Sequence, residues 1–312
     1  MINLRMPFLS VLIAVMLCIT AGQDLHAQQS ESARITDQLA SEISQLGEVD
    51  LFVFADRAAF LSRMDQTLGL ENIQSPEKTF AKLPRSPFTV TGRQNGAQIP
   101  TCQIFVPANI TPERGQEIFA QLMHGWFGPK LRYQSTADLT YRWLIYHEVR
   151  HCKPDHYGGD DAQNHRDEIE ADLFAFNELA TPENKSQLAS DIIAFRMITA
   201  TLFADRSHMT GLSIKYALET PQSRPTLSAK QEVAAFLGAR QLVTKQAKAI
   251  AVGVNPTNLE LIRAITELRE AAENGKLGSN APLIIEIMMS LDNAVAQFAP
   301  KLHGAVTTRQ GN

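Results

Sequence analysis

The order of apolar and polar positions predicts a mostly α protein of the α+β class, with a small sheet in the first third of the chain. Apolar residues recur with helical spacing over 32–46, and a continuous apolar run at Leu51–Phe54 then indicates a buried strand. Phe88–Val90 and Thr101–Val106 are two further candidate strands, the first inside a loop-rich stretch, Gln74–Pro100. Helical periodicity dominates the rest. Helices are predicted over 136–152, around residue 168, and over 184–204, 228–251, 258–274 and 282–298.

The first 27 residues have the features of a secretory signal peptide: a basic start, an apolar run over 7–21 and a small residue at position 27. We therefore expect an exported protein, located in the periplasm or outside the cell. The predicted organisation is a signal peptide (1–27), a main domain (28–220) and a C-terminal helical region (221–312). That last region either continues the main domain or stands beside it.

Charge and hydropathy exclude some classes of partner. The formal net charge is −4 and no long basic run occurs, so neither nucleic acid nor an anionic membrane surface is an expected partner. After the signal, the most apolar segment is Ala194–Ala204, which contains Arg196 and is shorter than the ~18 residues that a spanning helix needs. We expect no membrane span in the mature chain, and the oligomeric state stays open.

The cysteines favour one disulfide. Removal of the signal would take Cys18 with it and leave Cys102 and Cys152 in the mature chain. An even pair in an exported protein favours a bond, because that compartment is oxidising. The alternative is two buried free thiols. A bond would join the predicted strand at Cys102 to the helix that ends near Cys152.

An HExxH motif lies at the end of that helix, with the sequence His147-Glu148-Val149-Arg150-His151. Residues four apart differ by about 40° around a helix, so His147 and His151 project from one face, as two ligands of a tetrahedral zinc ion must. Glu148 lies about 100° from His147, where its carboxylate can face a zinc-bound water. The motif therefore predicts a Zn²⁺ site with Glu148 beside it.

A second, acidic motif with the sequence EIEAD runs from Glu168 to Asp172. On a helical wheel Glu168 and Asp172 share the apolar face, whereas Glu170 points to the opposite side. Carboxylates on an apolar face need a positive partner, and zinc with its histidines is such a partner. We therefore predict Glu168 as the third ligand, although spacing alone favours Glu170. The metal-free alternative is a buried ion pair with Arg142, Arg150 or Arg166.

The loop after the motif carries further polar side chains. His156, Tyr157 and His165 are near enough in sequence to stabilise the oxyanion that forms when water attacks a carbonyl. The alternative is a polar surface loop. His208 could approach from a later helix, but a lone histidine is more often structural.

Over residues 138–179 the chain resembles the gluzincin superfamily of zinc peptidases, in which a glutamate on a following helix joins HExxH. The ExxxD spacing is similar to thermolysin-like enzymes, and the ExEAD form is similar to heat-shock and CAAX-processing proteases and to ImmA-type regulators. The resemblance implies a zincin-like catalytic core. The roles that it implies are zinc ligation by His147, His151 and Glu168, general base for Glu148, and orientation of a ligand histidine by Asp172.

Two functions from different classes follow. The first is an exported zinc metallopeptidase that hydrolyses peptide bonds of a peptide or protein substrate, which pairs with the Thr101–Val106 strand as a sheet edge. The second is a non-catalytic zinc-binding or scaffold protein of the cell envelope, suggested by the charged Arg150 and Lys153, which depart from the pattern of zinc peptidases. A third, weaker alternative is a histidine–carboxylate network without metal.

Overall fold

The protein is described from a computed structural model. The structure describes residues 37–43, 45, 49–54, 56–81, 87–90, 93–94, 97–98, 102–107, 132–153, 156, 159–202, 205–219, 227–277 and 281–310. The predicted signal peptide lies outside these ranges.

Helices make up most of the described chain, and a small sheet lies in its first third. This confirms the predicted fold class, α+β and mostly α. The helices are α1 (described over 37–43), α2 (Arg57–Leu68), α3 (Pro76–Thr79), α4 (Ala137–Arg150), α5 (Asp161–Leu179), α6 (Lys185–Leu202), α7 (Gly211–Glu219), α8 (Ala229–Ile250), α9 (Asn258–Glu273), α10 (Pro282–Phe298) and α11 (Pro300–Gln310). The strands are β1 (Val49–Phe54), β2 (Phe88–Val90), β3 (Arg93–Gln94), β4 (Ala97–Gln98) and β5 (Cys102–Pro107).

Five of the six described helices longer than 12 residues begin where the sequence predicts them; the exception, α5, was predicted only around residue 168 and begins at Asp161. α4, α6, α8, α9 and α10 start at the predicted position or one residue after it. The sequence did not predict α2, α7 or α11. α2 buries only Phe60 and Met64, which is too few apolar positions to give a clear period. The stretch Gln74–Pro100, predicted to consist of loops around one strand, also contains α3, β3 and β4, which are too short to leave a periodic signal.

The main sheet has the order β1–β5–β2. β5 is parallel to β1 and antiparallel to β2. β5 is therefore the middle strand, and both of its edges are paired. This corrects the prediction that Thr101–Val106 offers a sheet edge to a substrate; within the described strands of this sheet, the edges belong to β1 and β2.

Alternation along β5 divides the apolar residues between two cores. Ile104 and Val106 belong to the large core, which the helices form, whereas Phe105 points to the opposite face of the sheet. There it packs with Phe54 of β1 and Phe60 of α2 in a small aromatic core. The sheet thus lies between α2 and the helical part of the molecule.

The large core is continuous from α1 to α11. It contains buried residues on both sides of position 220, from Leu39 to Val306. α6 is buried on nearly all sides, as expected for a central helix, and its polar Arg196 is buried with the rest. Among the described helices, none combines the length and apolarity needed to cross a bilayer.

A disulfide joins the sheet to the motif helix. Cys102, the first residue of β5, is bonded to Cys152, just beyond α4, with a Cα–Cα distance of 5.4 Å. The bond closes a loop between positions 50 residues apart. It therefore fixes the end of α4 that carries the HExxH motif.

Removal of this bond should destabilise the protein strongly. The double variant Cys102→Ser with Cys152→Ser should lose about 3–4 kcal/mol of unfolding free energy, because the bond restricts the unfolded chain. Urea denaturation of the variant, and of wild type with and without reductant, measures the loss. An unfolding free energy that is the same in all three samples would contradict the prediction.

Candidate metal centre

α4 carries the HExxH motif at its C-terminal end. A side-chain cap fixes its N-terminus and the disulfide fixes its C-terminus. The side-chain oxygen of Thr136 caps the first turn by accepting a hydrogen bond from the backbone N–H of Leu139 at 3.2 Å. The disulfide anchors the other end. The two histidines of the motif are one turn apart and are therefore presented together to the neighbouring helix, α5.

Three side chains converge between α4 and α5. Nε2 of His147 lies 3.1 Å from Nε2 of His151 and 3.3 Å from Oε2 of Glu168. Nε2 of His151 lies 3.8 Å from Oε1 of the same carboxylate. All three residues are buried, their ligand atoms lie within 4.8 Å of one another, and together they could hold a metal ion. We call His147, His151 and Glu168 the HHE group.

Asp172, one turn after Glu168, orients His147. Its Oδ1 lies 2.9 Å from Nδ1 of His147. Since an ionised carboxylate only accepts hydrogen bonds, Nδ1 of His147 carries the hydrogen. In a neutral imidazole the lone pair of Nε2 then points into the HHE group, as metal ligation by this nitrogen requires.

Arg196 of α6 holds Asp172 in place. Its Nε donates to Oδ2 at 2.5 Å and its Nη2 donates to Oδ1 at 2.9 Å. Both side chains are buried. A buried ion pair therefore exists at Asp172, but with Arg196 rather than with the arginines nearer in sequence. Those arginines bind other partners, namely Arg142 to Glu42, Arg150 to Glu170 and Arg166 to Gln163.

The electrostatics of the HHE group favour a positive charge beside Glu168. Burial lowers the pKa of His147, but the charge of Asp172 and hydrogen bonds to Asp172 and Glu168 outweigh burial and raise it to about 10. Burial, followed by the positive charge of His147, lowers the pKa of His151 to about 2. Burial raises the pKa of Glu168, yet the hydrogen bond and charge of His147 bring it well below the usual value. A positive charge between the two histidines and Glu168 is thus favoured, and a metal cation could supply it.

Glu148 lies beside the HHE group without belonging to it. Its side chain is partly buried. Burial raises its pKa most, the positive charge of His147 lowers it, and the negative charge of Glu168 raises it again, with a net increase. The backbone carbonyl of Glu148 accepts a hydrogen bond from the hydroxyl of Thr89 in β2 at 2.7 Å. A carboxylate of raised pKa next to a cation site is well placed to exchange a proton.

His208, between α6 and α7, also reaches the HHE group. Its Nε2 lies 3.1 Å from Oε2 of Glu168, and its Nδ1 lies 2.9 Å from Oδ2 of Asp205. The hydrogen bond to His208 lowers the pKa of Asp205 to about 2. The ring is 37% exposed, so it lies at the solvent side of the buried group. The sequence analysis favoured a structural role, because a lone histidine is more often structural, and allowed an approach from a later helix; the structure instead brings His208 to the HHE group from a loop.

Side-chain direction separates the two glutamates of the acidic motif. The side chain of Glu168 is 1% exposed, whereas that of Glu170 is 51% exposed. Glu170 accepts a hydrogen bond from Nη2 of Arg150 at 2.5 Å and lies 3.4 Å from Nε2 of His156. The structure therefore places Glu168 in the group, on the face that the helical wheel indicated.

Of the predicted oxyanion donors that the structure describes, His165 lies away from the HHE group. Nε2 of His165 lies 3.1 Å from the backbone oxygen of Met209 and 3.4 Å from Oε2 of Glu232, in a separate buried cluster that links α5 to α8. Tyr157 lies outside the described residues. No family model, curated protein or solved structure matches the chain, so its function has to be inferred from the geometry of the HHE group.

Proposed function

We propose that the protein is an exported, zinc-dependent peptidase. The observation that carries this proposal is the buried convergence of two imidazole nitrogens and one carboxylate, with Glu148 beside them. Nitrogen and carboxylate ligands suit zinc, and three protein ligands leave one coordination position for water or substrate, as catalytic zinc sites require. The similarity of both sequence motifs to gluzincins supports the same proposal.

The side chains around the group have complementary roles in peptide hydrolysis. When bound, zinc would polarise the scissile carbonyl and lower the pKa of a coordinated water toward ~7. Glu148 accepts the proton that the attacking water loses and passes it to the leaving amine. His208, held through Nδ1 by Asp205, would donate from Nε2 to the oxyanion that develops at the carbonyl when both of its ring nitrogens carry a hydrogen.

The substrate would pair with the edge of β2. Among the described strands of this sheet β5 lies in the middle, and β2 is the edge strand that contacts the motif helix, through the hydrogen bond from Thr89 to the carbonyl of Glu148. An extended peptide that adds to this edge would pass next to Glu148. A peptide or unfolded protein in the periplasm or outside the cell is therefore the proposed substrate.

Hydrolysis of an unfolded protein tests the proposal. Purified mature protein with zinc should cleave unfolded casein, and a chelator should abolish cleavage. One equivalent of zinc, added after removal of the chelator, should restore it. Cleavage that is insensitive to the chelator, or absence of cleavage by the zinc-loaded protein, would contradict a zinc peptidase.

A second candidate is a non-catalytic zinc protein, and the position of His208 favours it. A ring nitrogen 3.1 Å from Glu168 could become a fourth ligand and close the site, as in structural zinc centres. The variant His208→Ala separates the two functions. If the protein is a peptidase, the variant keeps its zinc affinity and loses activity by about 10²–10³-fold, the usual effect of removing one oxyanion donor. A marked fall in zinc affinity would instead identify His208 as a ligand.

A further inference from the structure

His156 is a buried histidine that the proposed mechanism does not use. Its side chain is 1% exposed, although it lies in the loop after α4. Its Nδ1 lies 3.3 Å from Nδ1 of His151, and its Nε2 lies 3.4 Å from Oε2 of Glu170 and 3.8 Å from Oδ1 of Asp167. The ring thus lies between a member of the HHE group and two carboxylates of α5.

One arrangement of hydrogens satisfies all these contacts. Nε2 of His151 points into the HHE group, so its hydrogen must lie on Nδ1 if Nε2 is to ligate a metal. Nδ1 of His156 must then accept that hydrogen, which leaves the hydrogen of a neutral His156 on Nε2. This nitrogen faces carboxylate oxygens, which are acceptors. Each donor therefore meets an acceptor.

We propose that His156 is a positioning residue for the ligand His151 and that Glu170 supports it from the surface. This inference rests on the metal site proposed above. The hydrogen bond from His151 Nδ1–H to His156 fixes the ligand ring and makes its Nε2 more basic. Glu170, held by Arg150, accepts from His156. Arg150 and Glu170, which both lie outside the HHE group, thus support metal binding through His156.

Three substitutions of His156 distinguish a hydrogen-bonding role from a packing role. His156→Ala should weaken zinc binding by about 10–100-fold, the range found when a partner of a ligand histidine is removed. The amide oxygen of Asn can take the place of Nδ1, so His156→Asn should stay within a few-fold of wild type. The amide of Gln corresponds to Nε2 instead, so His156→Gln should behave like His156→Ala. A residue that only fills space would give the reverse order, because Gln is closer to His in size.

Competitive titration with a chromogenic zinc chelator measures the four affinities, and absorption spectra of the Co²⁺-loaded proteins report the geometry of the site. Glu170→Gln changes a half-exposed side chain, so this variant should fold normally. It should weaken zinc binding less than His156→Ala does. Equal affinity in wild type, His156→Ala and Glu170→Gln would overturn the inference. A wild-type protein that binds neither metal would instead overturn the proposed function, so the two failures are distinguishable.

Discussion

Glu148→Gln should retain zinc and lose about 10²–10⁴-fold in the rate of peptide hydrolysis, the usual contribution of a general base. An amide cannot accept the proton that the attacking water must lose. Zinc should stay, because Glu148 lies outside the HHE group and its side chain supplies no ligand. The rate on a fluorogenic peptide and the zinc content of the same preparation measure the two effects together.

Glu178→Gln is the matched control for this change. Glu178 is an exposed glutamate on α5, so its variant should have the wild-type rate and zinc content. Equal activity in Glu148→Gln and wild type would exclude Glu148 as the base and favour the non-catalytic zinc protein. Loss of zinc from Glu148→Gln would show that its carboxylate binds the metal directly.

Arg196→Ala should lower the unfolding free energy by about 3–5 kcal/mol, since it leaves the buried carboxylate of Asp172 without its partner. Arg196 is 5% exposed and Asp172 is 1% exposed, so water cannot replace the guanidinium. The loss should persist in the presence of a chelator, because the ion pair does not depend on metal. Urea denaturation, with and without zinc, measures it.

A surface arginine provides the comparison for Arg196. Arg263 pairs with Glu267 on α9, but its side chain is 57% exposed, so Arg263→Ala should cost only about 0–1 kcal/mol. Similar losses in Arg196→Ala and Arg263→Ala would contradict the structural role of the buried pair.

The sequence predicted those features that depend on one helix at a time. The helical period predicted the start of α4 to within one residue, and the four-residue spacing put both histidines on one face. The helical wheel selected Glu168 over Glu170, because burial of one face decides the direction of each side chain.

Features that depend on contacts between elements far apart in the sequence could not be predicted from the pattern of one segment. Arg196 occurs in α6, a helix that is buried on nearly all sides, and nothing local relates it to Asp172, 24 residues earlier. His208 approaches Glu168 from a loop. The order β1–β5–β2 likewise depends on pairing across the chain, so β5 was taken for an edge strand. Periodicity gives the buried face of an element but not the element that covers it.

The zinc content of wild type and His151→Ala tests the central claim most directly. After equilibration with zinc and removal of the excess, wild type should hold about one Zn²⁺ per chain and His151→Ala should lose most of it, because a ligand has been removed. His303→Ala is the control, since His303 contacts Asp292 in α10, outside the HHE group, and it should keep the wild-type content. A zinc-free wild type, or full occupancy in His151→Ala, would contradict the assignment of the HHE group as a zinc site.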